Sequence, residues 1–321
     1  MHRLTLATTL TALVSLLPLG AAFGQQPPAP VPVLEKRFEA TAPAGPYDEV
    51  LLALDLAPGT EFPTHSHGGA VFVSVVDGTL WERSGGQERT FNAGDTFTEE
   101  AGRIHSAGNR GPGTTRLLIT VLLPKGAQLT TDVQSGAPQD LPPGATVAGQ
   151  GVLENPQAPA PMDVVQRVTD LPAGGVVAQH THPGPNFNVL VQGQIVLNMQ
   201  GAANNFKVGD SWVEPPNVVH GGNNTGTTTA RIVGSALVPR GAPVATPAQQ
   251  PGAAPPAAAP APAAAPPAAQ PTAAPTRPAG AAPAQVPGQL PRTGGSPWPV
   301  LPMGLVGFVI VASGALLRRR K

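Results

Sequence analysis

The feature that most constrains this fold is an internal repeat. Gly59 is matched by Gly174, His65 by His180, His67 by His182 and Gly78 by Gly193. Gly94 is matched by Gly209, His105 by His220, Asn109 by Asn224 and Gly126 by Gly241, and every pair lies 115 positions apart. The ends of the two copies also agree in kind, Leu122-Leu-Pro-Lys-Gly126 against Leu237-Val-Pro-Arg-Gly241. A pattern of about a hundred residues written twice folds as two copies of one domain. Within each copy the apolar runs have strand length: Val50–Leu56, Val71–Val76, Arg116–Leu122 and Gln194–Met199. Pro-Gly, Asp-Gly, Gly-Gly and Gly-Asp turn pairs bound them. No stretch of the body from about Val31 to Gly241 has a helical period. The body is therefore all-β, a pair of sandwiches or barrels over residues 31–126 and 145–241.

The repeat also organises the histidines. The chain has seven, and all but His2 fall at equivalent positions, His-x-His followed 38 residues later by a third. Strand alternation puts both members of His-x-His on one face, and a neighbouring strand can complete a triad. Six histidines, His65, His67, His105, His180, His182 and His220, thus form two candidate sites for a divalent transition metal: Fe, Mn, Ni, Cu or Zn. The sequence holds no cysteine, which excludes thiolate zinc, iron–sulfur and disulfide chemistry. By alternation Glu61 shares the face of His65 and His67, where it offers a ligand or a base, or else lies solvated at a barrel mouth. Glu99 and its repeat mate Glu214 are read as partners in a structural salt bridge or hydrogen bond.

These residues resemble the two cupin motifs, once per half. Gly59, His65, His67 and Gly78 fit the first motif, as do Gly174, His180, His182 and Gly193. Gly94, Gly102, His105 and Asn109 fit the second, as do Gly209, Pro215, His220 and Asn224. The resemblance implies two tandem jelly-roll (double-stranded β-helix) barrels, each around a metal centre. Departures qualify it. The family's Glu ligand is Val71 in the first half and Asn186 in the second, Glu100 replaces the Pro, and Asn217 replaces a Gly. Oxalate decarboxylases and germins rely on that Glu, so a three-His centre like that of some cupin dioxygenases fits better. The inward positions that follow are Val71, Val73 and Val75 in one half and Asn186, Asn188 and Leu190 in the other. The second pocket is thus the more polar, with Asn186 as a weak ligand or pocket residue.

Composition locates the rest of the chain. Pro (41) and Gly (38) together make a quarter of 321 residues, and much of the Pro falls in one stretch. Residues 242–289 are almost wholly Pro, Ala, Gly, Gln and Thr, too poor in apolar side chains to offset ordering entropy, and read as a disordered linker. In extended polyproline form such a stalk reaches about 150 Å. Residues 1–24 read as a secretory signal peptide. Leu290-Pro291-Arg292-Thr293-Gly294, the apolar span 298–317 and the tail Arg318-Arg319-Arg320-Lys321 resemble a sortase cell-wall sorting signal. That resemblance implies a transmembrane segment before processing, cleavage after Thr293 and linkage to peptidoglycan, with a single-pass membrane protein as the alternative. Five of the 19 basic residues lie in these targeting segments, leaving 14 against 19 acidic. A mildly acidic body is a poor partner for nucleic acid.

The chain therefore reads as a secreted, surface-anchored metal protein taking a small-molecule ligand. As an enzyme it would be a metal-dependent cupin oxygenase acting on a small oxygenated molecule. As a binding module it would hold metal or ligand without turnover.

Overall fold

A computed structural model describes residues 26–248 of the chain. The segments read as a signal peptide, as a sorting signal and, from residue 249 onward, as a linker lie outside the described residues. Those described form twenty strands and no helix. The first half runs β1 (Val31–Ala40), β2 (Tyr47–Leu56), β3 (Glu61–His67), β4 (Ala70–Asp77), β5 (Thr79–Ser84), β6 (Gln87–Asn92), β7 (Thr96–Glu99), β8 (His105–Gly108), β9 (Thr115–Pro124) and β10 (Thr130–Asp132). The second repeats it as β11 (Ala145–Glu154), β12 (Met162–Leu171), β13 (Val176–Thr181), β14 (Asn186–Gln192), β15 (Gln194–Met199), β16 (Ala202–Lys207), β17 (Ser211–Glu214), β18 (His220–Asn223), β19 (Ala230–Pro239) and β20 (Thr246–Pro247).

The strands build four five-stranded sheets, two to each jelly roll. One barrel joins the sheet β11-β2-β9-β4-β7 to β10-β3-β8-β5-β6; the other joins β1-β12-β19-β14-β17 to β16-β15-β18-β13-β20. The opening strand of each half thus belongs to the other half's barrel. β1 runs antiparallel to β12 from Val31↔Asp170 to Ala40↔Met162, and β11 runs antiparallel to β2 from Ala145↔Leu56 to Glu154↔Asp48. The contiguous ranges 31–126 and 145–241 each lend a strand to their neighbour.

Each barrel also extends past the Gly that closes its repeat. β20 pairs with β13 through His180↔Pro247 and Thr181↔Thr246, and Val244 is buried. Residues 242–248 are therefore barrel wall, a correction to the linker boundary at 242. The cause is local: the apolar Val244 finds a buried site within the Pro-rich sequence. β10 does the same for the first barrel, pairing Asp132 with His65 and Thr130 with His67.

The exchange gives the barrels a shared core. One cluster combines Leu51, Ala53 and Leu118 with Val168, Phe187 and Val233, and a second combines Tyr47, Phe72 and Leu122 with Met162, Val164 and Leu237. One polar knot lies in this interface. Gln166 donates to the Phe72 carbonyl at 2.9 Å and the Thr120 hydroxyl at 3.0 Å, and accepts from Ser74 at 2.6 Å.

Candidate metal centres

Sheet register assembles the histidines. His65 lies opposite His105 in the β3–β8 pair, and His180 opposite His220 in the β13–β18 pair. A bulge precedes the first His of each half, between Phe62 and His65 and between Val177 and His180. It resets the alternation so that His-x-His turns inward. In both halves one nitrogen from each of the three rings lies within 4.8 Å of the others.

The orientation of the rings is the decisive detail. His65, His67 and His105 set Nδ1 against the carbonyls of Pro63 (2.7 Å), Leu129 (2.9 Å) and Arg103 (3.2 Å). His180, His182 and His220 set Nδ1 against the carbonyls of Ala178 (2.9 Å), Val244 (2.7 Å) and Val218 (2.8 Å). The three carbonyls of one half are again 115 residues from those of the other. A carbonyl only accepts, so each Nδ1 carries a proton and each Nε2 is turned toward the centre. This is how proteins orient metal-ligating imidazoles. The Nε2 of His220 is buried and has no hydrogen-bond partner of good geometry. The donor set therefore fits a divalent transition metal in either barrel.

Each centre also has a carboxylate beside it that the motif pattern places elsewhere, and Glu214, unlike Glu99, falls within the ligand cluster of its three imidazoles. Val71 and Asn186, at the family's Glu position, lie directly across the ladder from Glu99 and Glu214. Opposed side chains in an antiparallel pair are near neighbours, so the carboxylate reaches the centre from the facing strand. Glu99 is 3.1 Å from His105 Nε2 and 3.5 Å from His67 Nε2. Glu214 is 2.9 Å from His182 Nε2 and 3.3 Å from His220 Nε2, and accepts from Trp212 Nε1 at 3.0 Å. Reading these two glutamates as structural missed their place beside the imidazoles.

Asn186 is buried, with its amide nitrogen hydrogen-bonded to Glu214. Its carbonyl oxygen accepts from Arg167 at 2.9 Å. It is thus a support for Glu214, with its oxygen engaged by Arg167 and not by the centre. Glu61 is outside the centre altogether. The bulge after Phe62 breaks the alternation that would have aligned it with His65, and its side chain is 57% exposed, 3.5 Å from Arg110.

The two centres differ electrostatically. In the first, burial pushes His65 down, His67 to about 4 and His105 to about 3. Burial also pushes Glu99 up to about 7. Every group there leans to its neutral form. In the second, burial alone would raise Glu214, but His182 and His220 hold it well below the usual carboxylate range. Burial would lower His220, and the Glu214 contact raises it instead.

The interiors differ more. A cavity of about 330 Å³ opens inside the second barrel, reaching His180, Asn186 and Glu214 and walled by Ile195, Leu197 and Trp212. At the equivalent places the first barrel carries bulkier or paired groups. Ile119 stands for Gly234, and Glu82 stands for Leu197. Glu82 is fully buried and bonded to Arg89 and Arg103 at 3.0 Å each. Val71 and Val73 pack into its apolar core.

The Cupin domain family matches residues 53–121 and again 167–235. Both halves are cupin-type domains. Solved structures similar to this bicupin include tomato (Solanum lycopersicum) vicilin, 14% identical, covering 60% of this chain and 75% of that one with a TM-score of 0.45. Lactobacillus farciminis oxalate decarboxylase, solved as a formate complex, is 17% identical and covers 63% of this chain and 86% of its own, TM-score 0.40. A salicylate 1,2-dioxygenase mutant from Pseudoaminobacter salicylatoxidans is 16% identical, covering 58% and 70%, TM-score 0.34. No curated protein sequence matches the chain.

Proposed function

We propose that this bicupin is a secreted, wall-anchored metalloprotein whose second barrel holds a divalent transition metal and takes a small oxygenated molecule, with dioxygenase-type chemistry as its activity. The observation that carries the metal reading is the common orientation of all six imidazoles, Nδ1 against a backbone carbonyl and Nε2 inward. His180, His182 and His220 would hold the metal with Glu214 beside them. When bound, such a metal supplies Lewis acidity, and for Fe or Ni a means of activating dioxygen.

The chain's own residues do the remainder. The Ala178, Val218 and Val244 carbonyls lock the rings, so the site needs little rearrangement to bind. Asn186 and Trp212 fix the Glu214 carboxylate by hydrogen bonds. Ile195, Leu197 and Trp212 give the cavity beside His180 an apolar wall. The first barrel has the same three imidazoles with Val71 and Val73 packed in its apolar core, which favours a structural metal site there.

Elemental analysis of protein purified without chelators tests the reading. One to two equivalents of metal per chain are expected, and changing His180, His182 and His220 to Ala should remove one. Unchanged metal in that variant overturns the assignment. Anchoring is tested separately by mass spectrometry of muramidase-released material. A chain ending at Thr293 is expected, and an intact Arg318–Lys321 tail overturns it.

A further inference from the structure

Arg167 is the group in the second barrel that the metal site does not explain. It lies on β12, lines the cavity, and spends one guanidinium nitrogen on Asn186. Its Nε is buried with no hydrogen-bond partner, and among the described residues it makes no ion pair. Arg167 is half-buried, and a guanidinium whose Nε is buried without a partner has donor capacity that a ligand arriving from outside would satisfy.

The internal duplicate is a built-in control. The position equivalent to Arg167 in the first barrel is Leu52, and the same jelly roll forms around it. A charge at this place is therefore not a requirement of the fold. Two further exchanges accompany it. Asn186 in place of Val71 holds the guanidinium, and Gly234 in place of Ile119 leaves room in the same wall for the Asn188 side chain. Arg167, Asn186 and Gly234 are present in one barrel and replaced by Leu52, Val71 and Ile119 in the other.

Glu214 and Glu35 act on Arg167 through space and neither forms an ion pair with it. Glu214 is committed to His182, His220, Asn186 and Trp212. Glu35 is directly opposite Arg167 in the β1–β12 register, but it is exposed at the rim. His180 is the remaining titratable group lining the cavity. The rest of the wall is largely apolar, and about 330 Å³ is at the small end of ligand cavities.

We propose that the second barrel binds a small organic carboxylate, with the anion on Arg167 and the apolar body against Ile195, Leu197 and Trp212. The assignment rests on the second barrel being the ligand-taking half. It names the substrate class: an apolar acid with an oxygen able to face the His centre. Guanidinium suits a carboxylate because its N–H groups match the two oxygens in one plane.

Calorimetric titration of the full chain as purified, with benzoate and its neutral isostere benzamide, tests this without any variant. Benzoate should bind at least about tenfold more tightly, the loss expected when a charged hydrogen bond is removed. Arg167→Gln should lose that preference, Arg167→Lys should keep part of it, and Glu35→Gln should bind benzoate at least as well as the parent. Equal binding of the two probes, absence of benzoate binding, or an unaltered preference in Arg167→Gln overturns the proposal. Metal content measured on the same samples separates the two readings. Metal present without benzoate selectivity sinks the carboxylate site alone. Selective benzoate binding to metal-free protein sinks the metal reading alone.

Discussion

The histidines were legible because the duplication isolates them. All six of the body sit in two identical spacings, and strand alternation turns His-x-His to one side. The carboxylates were not legible. Glu99 and Glu214 stand out as repeat mates, but only the β4–β7 and β14–β17 register puts them opposite Val71 and Asn186. Pairing partners are set by sheet topology, which no local spacing encodes. Glu61 misled for the related reason that a bulge shifts alternation by one residue without a mark in the sequence. The relocated carboxylate makes a residue-scale prediction. Glu214→Gln keeps the volume and removes the charge beside His182 and His220. Metal affinity of the second barrel should fall about 10–100-fold, the usual effect of losing a group that supports or completes a centre. Competition against a chelator of known strength reads this directly. An affinity unchanged from the parent would reduce Glu214 to packing.

At the scale of elements, strand existence was readable and partnership was not. β1 and β11 are edge strands, and the contiguous bounds 31–126 and 145–241 do not record that each pairs with the other half's sheet. The exchange places Phe38 of β1 against Phe72 of β4, with ring centroids 5.4 Å apart and edge to face. β1 is hydrogen-bonded to one barrel while Phe38 packs on the other. Phe38→Ala should cost about 3–5 kcal/mol through the cavity it leaves. The loss should be shared by both halves, because the residue belongs to a cluster drawn from both. Chemical denaturation followed by Trp81 in the first barrel and Trp212 in the second measures it. Coincident shifts of the two signals are expected, and a shift confined to one would show the barrels unfolding separately.

At the scale of the molecule, the two barrels share core clusters among the described residues, and Glu49 tests that interior. Glu49 is on β2, fully buried, with neither carboxyl oxygen hydrogen-bonded in good geometry. Burial pushes its pKa from 4.5 to about 8, and the Ser235 hydroxyl of β19 in the other half offsets this only in part. Below about pH 4.5 the folded and unfolded chains both hold this proton. Between 4.5 and 8 only the folded chain does, so stability falls as pH rises through that window. Above 8 both states are ionised and the loss is complete, on the order of 4 kcal/mol for a shift of this size. Glu49→Gln is neutral at every pH and keeps the shape, which removes the term. The parent and the variant should melt together near pH 5, and the variant should pull ahead steadily to pH 8. Subtracting the two pH profiles cancels the contributions of the histidines, which are common to both. Calorimetry should show one transition in each protein, its midpoint diverging between them only as pH rises. A difference in Tm that is constant with pH would mean Glu49 is ionised within the fold. Its charge would then have found a partner across the barrel interface.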